Sequence, residues 1–502
     1  MKKGMSRRDF LRNASKATLG AAALSGLSTT AHASVVGSDD EVKGEIETLS
    51  VAQSKVPAIH DSSAADVDLD IADESGNVIL RLQNGHIKTK LFDSENLDNG
   101  TCYVAPDGSD DNSGSASSAP FATFQHAIDA GYKKIIAAPG EYKNQTVTIE
   151  GKNGISIICH TNTKESSVFD SHQRQARAKL DNSIDIGELT DYEAIYRAAL
   201  TVDRDSSYYK VFIDQTMDPV YSEANGIERV STYNAILWEI TDSVKTCARL
   251  APKLTLAECE ATAGTFFFDG DYLYVNPTDG SMTGKTYKRL NKETAAAAPC
   301  GFCISNSTDI YIEGLDIQFF PYRDFDANLV TGLTMRDCGF YFTCYGSAAV
   351  FDWCNGDMVS CRAAQAGADG FSVSEGGNTC FYDCSAVRCD GDGISHHDGS
   401  TGVIDGGHWT GCLKGGVTPS FGAKVTVKNV ICEENLYGIY YTQGSGRTTD
   451  AVLMMQNCLA VENTGKDIKI SGYNVVSHGC AYGTKEVDSE GSLTEYGNTV
   501  IQ

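Results

Sequence analysis

The chain has 502 residues, 41% of them hydrophobic, which is enough for a large core, and 66 acids against 41 bases give a formal charge of −25. That balance argues against an unaided nucleic-acid or anionic-membrane partner, because the phosphate attraction that dominates such binding becomes repulsion. No run of about 18 apolar residues marks a membrane span. Length alone suggests more than one domain, although elongated all-β folds run past about 200 residues as one unit.

The first 33 residues carry a basic head, a mild apolar run rich in Ala and Gly, and Ala31-His32-Ala33 as a small-x-small cleavage site. Ser6-Arg7-Arg8-Asp9-Phe10-Leu11-Arg12 resembles the twin-arginine export signal, with Arg12 where Lys is usual. The resemblance implies a mature chain beginning near Ser34 and working outside the cytoplasm: secreted, periplasmic or at the cell surface. Seventeen cysteines suit an oxidising compartment, and an odd count leaves at least one unpaired. Twin-arginine substrates typically fold before export, so many of these thiols are expected as buried small hydrophobes rather than disulfides. Cys300-Gly301-Phe302-Cys303 has redox or half-zinc-site spacing, but no second CxxC completes it. It reads as the start of a strand with two core cysteines.

Residues 34–66 are polar and Ser/Asp/Glu-rich, as a linker would be. Residues 67–97 open on apolar alternation broken by Ser-Gly-Asn and Asn-Gly, which predicts a small β-hairpin accessory module. From residue 98 the character changes. A strand, an Asp/Gly/Ser loop, a short helix at roughly 120–130 and a strand ending in Pro139-Gly140-Glu141-Tyr142 follow in order. This succession resembles the N-terminal opening of secreted right-handed parallel β-helix proteins, the group that holds pectate lyases. The fold class expected is therefore all-β, a right-handed parallel β-helix over 98–502. Residues at about 160–300 lack that regularity and are expected as an inserted mixed segment, with a hairpin at 265–280.

Internal repetition is the strongest signal. DGFSVSEG (369–376), DGISHHDG (392–399), GGVTPSFG (415–422) and YGIYYTQG (437–444) recur at spacings of 23, 23 and 22, each with Gly second and last. One such rung cannot bury its own apolar face, so successive rungs must stack. Phe371, Ile394, Val417 and Ile439 are then predicted to form an inward column. Alternation sends Ser372, Ser395, Thr418 and Tyr440 outward, and next along the strand Ser374, His397, Ser420 and Thr442. His396 has inward parity or sits where the strand bends.

The stretch CDGDGISHHDGS (389–400) gathers three acids and two histidines among glycines. Asp369 and Asp392 share a column, with Asp390 two residues before the second. Carboxylates about 4.8 Å apart repel, so either one keeps a proton or a cation settles between them. Oxygen-only ligands favour calcium, for which Asp369, Asp390 and Asp392 are the candidate ligands. Asp-Gly is also ordinary turn chemistry that repeats because the turn repeats. Adjacent histidines on a strand point to opposite sides, which weakens a zinc reading. An outward His397 suits proton transfer near neutrality.

Residues 393–404 are similar to the active-site strand of alginate (mannuronan) epimerases, usually Tyr-Gly-Ile/Phe-Asp-Pro-His-Asp/Glu. The resemblance implies a catalytic role for His397 and places Asp398 at the acid that follows it. The family's Tyr falls on Asp392, its first Asp on Ser395 and its Pro on His396. The rung pair from Ala368 to Gly393 also resembles the calcium-binding rungs of one pectate lyase group, with Asp369 and Asp392 matching and Gly391 and Ser395 replacing other acids.

The resemblances imply proton removal beside a uronate carboxylate. The candidate catalytic residues are His397, Asp392 and Lys414, and the candidate substrate-binding residues are His396, Tyr437 and Tyr440. Three readings follow. The first is a polysaccharide lyase or epimerase-like enzyme acting on a uronic-acid-containing polysaccharide, the second a glycoside hydrolase using stacked carboxylates, and the third a non-catalytic glycan binder. In each the partner is a polysaccharide and the chain is expected to act as a monomer.

Overall fold

The computed structural model describes residues 100–501, apart from 160–163, 167–172, 187, 200–236, 242–245, 254, 270, 291–299, 344–345 and 444–451, together with three short strands inside 69–89. Those strands, Leu69–Ala72, Val78–Gln83 and His86–Thr89, pair antiparallel in chain order. They belong to a unit that ends at Asn99, and a second unit runs from Gly100 to Gln502. The expected signal peptide and linker lie outside the described residues.

The second unit is a right-handed parallel β-helix. Each turn lays down three strands, such as Phe371–Ser374, Asn378–Tyr382 and Ser385–Val387, and each strand pairs in parallel with its counterpart on the next turn. Phe371 pairs with Ile394, Ile394 with Val417 and Val417 with Ile439, which is the column predicted from the repeats. All four side chains are fully buried. The short helix Phe124–Asp129 sits within the predicted span, capped by Thr123 and burying Phe124, Ala127 and Ile128 in the core.

Both glycines of the repeat have a physical reason. A Cβ on Gly370 would lie 2.6 Å from the carbonyl oxygen of Gly393, and one on Gly393 would lie 2.6 Å from that of Gly416. The second position is therefore glycine because the next turn's backbone passes there. At the last position Gly376, Gly399 and Gly422 have φ of 75°, 73° and 86°, and nothing crowds Gly399. Here the left-handed backbone selects glycine.

The cysteines serve the stack. Sγ of Cys338, Cys361 and Cys384 lies 3.7, 3.6 and 3.4 Å from the carbonyl oxygens of Ile312, Met335 and Met358 on the preceding turn. A small apolar side chain with a weak donor fits between rungs where a hydroxyl would carry a larger desolvation cost. Among the described residues sixteen cysteines are free and none forms a disulfide.

The expected insertion at about 160–300 needs one correction. Ala178–Asp181 is a strand of the solenoid, paired with Gly140–Lys143 on one side and Leu315–Gln318 on the other. The period is hidden there because this turn is flanked by non-repeating chain on both sides. The insertion's other described residues form mainly antiparallel sheets, with one parallel pair at Ala251–Pro252 and a helix at Leu256–Ala261, and the predicted hairpin is Thr265–Phe268 with Tyr272–Asn276. This subdomain packs on the solenoid through Trp238, which meets Phe319 edge-on at 5.4 Å.

Gly393→Ala should cost about 1–3 kcal/mol by overpacking, more than the strain of about 1 kcal/mol expected for Gly399→Ala. Chemical denaturation of the two variants checks the order, and equal losses would show that the rungs are not in this close register.

Candidate functional site

The turn that ends the strand Ile394–His396 builds the site. Asp398 adopts a left-handed φ of 52° and Gly399 follows at 73°, a conformation that aspartate tolerates better than most residues. The reversal brings the Asp398 carboxylate back onto the preceding ring, with Oδ2 2.6 Å from Nδ1 of His397. The other ring nitrogen, Nε2, lies 3.0 Å from Oγ of Ser372 one turn below. A carboxylate can only accept, so in the neutral imidazole Nδ1 carries the proton and donates to Asp398, while the Nε2 lone pair accepts from Ser372. His397 thus stands on the outer face, as predicted, with its side chain 28% exposed.

From Ser372 polar groups lead across the outer face to the two acids. Ser395 Oγ lies 3.5 Å from Ser372 Oγ and donates to Oδ2 of Asp369 at 2.8 Å. Oδ1 of Asp369 accepts the Asp392 backbone N–H at 2.8 Å. Oδ1 of Asp392 in turn accepts from the Gly415 backbone at 2.6 Å and from Thr418 at 2.7 Å. Asp392 is buried, and that burial, with the Asp369 charge beside it, pushes its carboxyl up to about 7 despite those donors and the opposing pull of Lys414. Asp369 and Asp392 are therefore brought together as predicted, but as a closed, hydrogen-bonded pair.

Asp390 is not part of that pair. It turns to the packed subdomain, with Oδ2 3.0 Å from the Arg249 guanidinium. The three acids do not converge on one point: the group of His, Cys, Asp and Glu whose ligand atoms come within 4.8 Å of one another, among the described residues, lies elsewhere, at Cys300, Cys303 and Asp326. Asp369, Asp390 and Asp392 fit a calcium ion poorly in this arrangement, since Asp390 turns to Arg249 and both oxygens of Asp369 and Oδ1 of Asp392 already answer protein donors, and no step below runs through one.

His396 corrects the substrate-binding expectation. Its ring is fully buried, 5.8 Å edge-on to Phe381, and burial drives its pKa down to about 3, so it stays neutral and cannot meet a polymer. Inward parity decided this. Lys414 is exposed on the turn above Asp392. Tyr437 and Tyr440 lie side by side, half-buried, with centroids 4.8 Å apart and the Lys469 ammonium 4.8 and 5.5 Å above them.

Sequence reasoning missed the partners of His397 and its flanking aromatics. Ser372 was placed on the outer face but given no role. Trp353 and Phe421 occupy the same turn as Asp398 on other rungs and are 53% and 46% exposed. Phe421 shares a repeat position with Asp398 that went unused; Trp353 precedes the first repeat and lies two turns from Asp398, with Glu375 between them.

The family described as "Right handed beta helix region" matches residues 326–483. No curated protein matches the chain. Among solved structures, the complex of XylC with xylose aligns with 10% identity and a TM-score of 0.45 over 79% of this chain and 70% of that one. Pectate lyase Pel9A aligns with 11% identity and 0.39 over 78% of each chain. The periplasmic alginate epimerase AlgG aligns with 14% identity and 0.33, over 40% of this chain and 48% of that one.

Asp392 gives a pH test. Its pKa is higher in the fold than in the unfolded chain, so its contribution to stability is full below about 4 and is lost as pH rises through about 7. Asp392→Asn keeps an oxygen for Gly415 and Thr418 and cannot ionise. The variant should therefore match the wild type near pH 4 and gain on it up to about pH 8, as read from paired thermal transitions. A constant difference across that range would mean that Asp392 is ionised throughout.

Proposed function

We propose that the protein is a carbohydrate-active enzyme of the polysaccharide lyase or epimerase type, acting on a uronic-acid-containing polysaccharide with His397 as base. The observation that carries this reading is the row Asp398, His397 and Ser372 on the outer face. Asp398 fixes the ring and its tautomer, so Nε2 carries the lone pair, held on the outer face by a bond from Ser372 that gives way when the base acts.

In the reaction proposed, His397 Nε2 takes the proton from the carbon beside the uronate carboxylate. The electron pair released forms the new double bond as the neighbouring carbon–oxygen bond breaks. The leaving oxygen receives a proton from the imidazolium or from Ser372. In epimerisation the same carbanion-like state takes a proton from solvent on its other face, and the imidazolium returns its own proton to solvent. Lys414, exposed one turn above, is the cation that offsets the substrate carboxylate, a need sharpened by the net charge of −25. Trp353 and Phe421 offer apolar faces to sugar rings on either side of Asp398 in the axial direction.

The hydrolase reading needs two carboxylates open to water and substrate. Asp369 is taken up by the Asp392 amide and Ser395, and Asp392 by the Gly415 amide and Thr418, which is why the lyase or epimerase reading is preferred. Export by the twin-arginine route belongs to the same proposal, and the sixteen free thiols among the described residues are compatible with folding before export.

His397→Ala should lower turnover by about 10²–10⁴-fold, the usual worth of a general base. Its thermal transition should stay within the small range of surface changes, about 0.5 kcal/mol. Turnover is read as ultraviolet gain from unsaturated uronate, or as exchange of solvent hydrogen into the polymer, across a panel of uronic-acid and neutral polysaccharides with and without chelator. Retained activity in the variant removes His397 from the mechanism. New reducing ends without the ultraviolet signal would favour hydrolysis, and binding without product would favour the glycan binder.

A further inference from the structure

Two parallel strands open side by side at Cys300–Glu313 and Arg323–Arg336, with Cys300 opposite Arg323 and Cys303 opposite Asp326. Alternation alone would send residues three apart on a strand to opposite faces. Cys300 is the first residue of its strand, and the two thiols converge: a sulfur from each and a carboxylate oxygen of Asp326 all lie within 4.8 Å of one another. Cys300 is buried, and Cys303 and Asp326 are half-buried. We propose that Cys300, Cys303 and Asp326 form a binding site for a thiophilic divalent cation of the zinc class, with a fourth position open to water.

Charge and softness both favour that occupant. Two thiolates and one carboxylate carry three negative charges. One of these is offset by Arg323, whose guanidinium lies 2.8 Å from Oδ1 of Asp326. Two negative charges remain, which a divalent ion neutralises. Arg323 is itself held in place, 4.9 Å over the Tyr322 ring and 3.9 Å from Oδ2 of Asp352. It thus stands as an outer partner that orients the ligating carboxylate, a role such groups commonly have at metal sites. Thiolate donors select zinc over calcium or magnesium. Sulfurs bound tetrahedrally at about 2.3 Å stand about 3.7 Å apart, so closing the present cluster takes a shift on the order of 1 Å.

The other ladder cysteines do not share this environment. Cys338, Cys361, Cys384 and Cys458 each lie within reach of a carbonyl oxygen of the preceding turn. Cys303 instead faces outward beside a carboxylate. It lies on the column that continues through Asp326 and Val350 to Ser372. Three rung spacings separate it from Ser372, roughly 14 Å. The ion would share the outer face with His397 without touching it.

Full-length protein, reduced, stripped with chelator and dialysed, should bind one equivalent of Co²⁺ and show thiolate-to-cobalt absorption in the near ultraviolet with tetrahedral d–d bands. Zn²⁺ should displace it and raise the thermal transition. Cys303→Ser and Asp326→Asn should each weaken binding at least about 10-fold, whereas Cys384→Ser should leave the spectrum unchanged. Absence of the thiolate band in the wild type overturns the proposal, as does binding indifferent to both ligand variants. A Cys300–Cys303 disulfide in protein purified without reductant would equally overturn it. The wild-type spectrum decides even if a variant fails to fold.

Discussion

Parallel backbone pairing between successive turns governs this molecule. Each turn hydrogen-bonds to the next at a fixed offset, so a residue's neighbours in space are set by its position within the rung and not by its position in the chain. The inward column of Phe371, Ile394, Val417 and Ile439 buries the apolar surface that makes stacking favourable. The same registration lines up polar residues on the outside, where it costs nothing extra. Ser372 and Ser395 are brought together by the backbone ladder, and their hydroxyls then serve His397 and Asp369 respectively.

That constraint explains what could be read from the sequence. A period of 22 or 23 residues fixes columns once one rung is placed, so the outward setting of His397, the inward parity of His396 and the neighbouring positions of Asp369 and Asp392 follow without knowledge of any contact. The helix at 124–129 and the hairpin at 265–276 were legible from local turn and capping chemistry. Glycine at the second repeat position was legible as a pattern but not as a cause. Its reason, the carbonyl of the next turn, exists only in three dimensions.

What was not legible depends on contacts across different parts of the chain. Asp390 pairs with Arg249, a residue 141 positions earlier in a segment with no repeat to align it. Cys300 and Cys303 read as core residues because no second CxxC completes a site; Cys300 is buried, but the half-buried Cys303 lies beside Asp326, a neighbour that only the strand pairing supplies. The strand at 178–181 was absorbed into the insertion because a single turn between irregular segments leaves no period to detect. His397 could be placed on its face, but its tautomer required the left-handed turn at Asp398, which a single Asp-Gly pair suggests without fixing.

The two carboxylates on adjacent turns show why a column of like charges does not by itself make a metal site. Repulsion between them can be relieved by a cation, by a proton or by donors from the scaffold. Here the scaffold supplies donors to both: Ser395 and the Asp392 amide to Asp369, Thr418 and the Gly415 amide to Asp392. The charge that remains is answered by holding Asp392 near its protonated state. At Asp326 the scaffold does the reverse. It answers the carboxylate with one guanidinium and sets two thiols beside it. Two acidic positions on one solenoid thus reach different solutions, and what separates them is the hydrogen-bond donors each receives from the neighbouring turn.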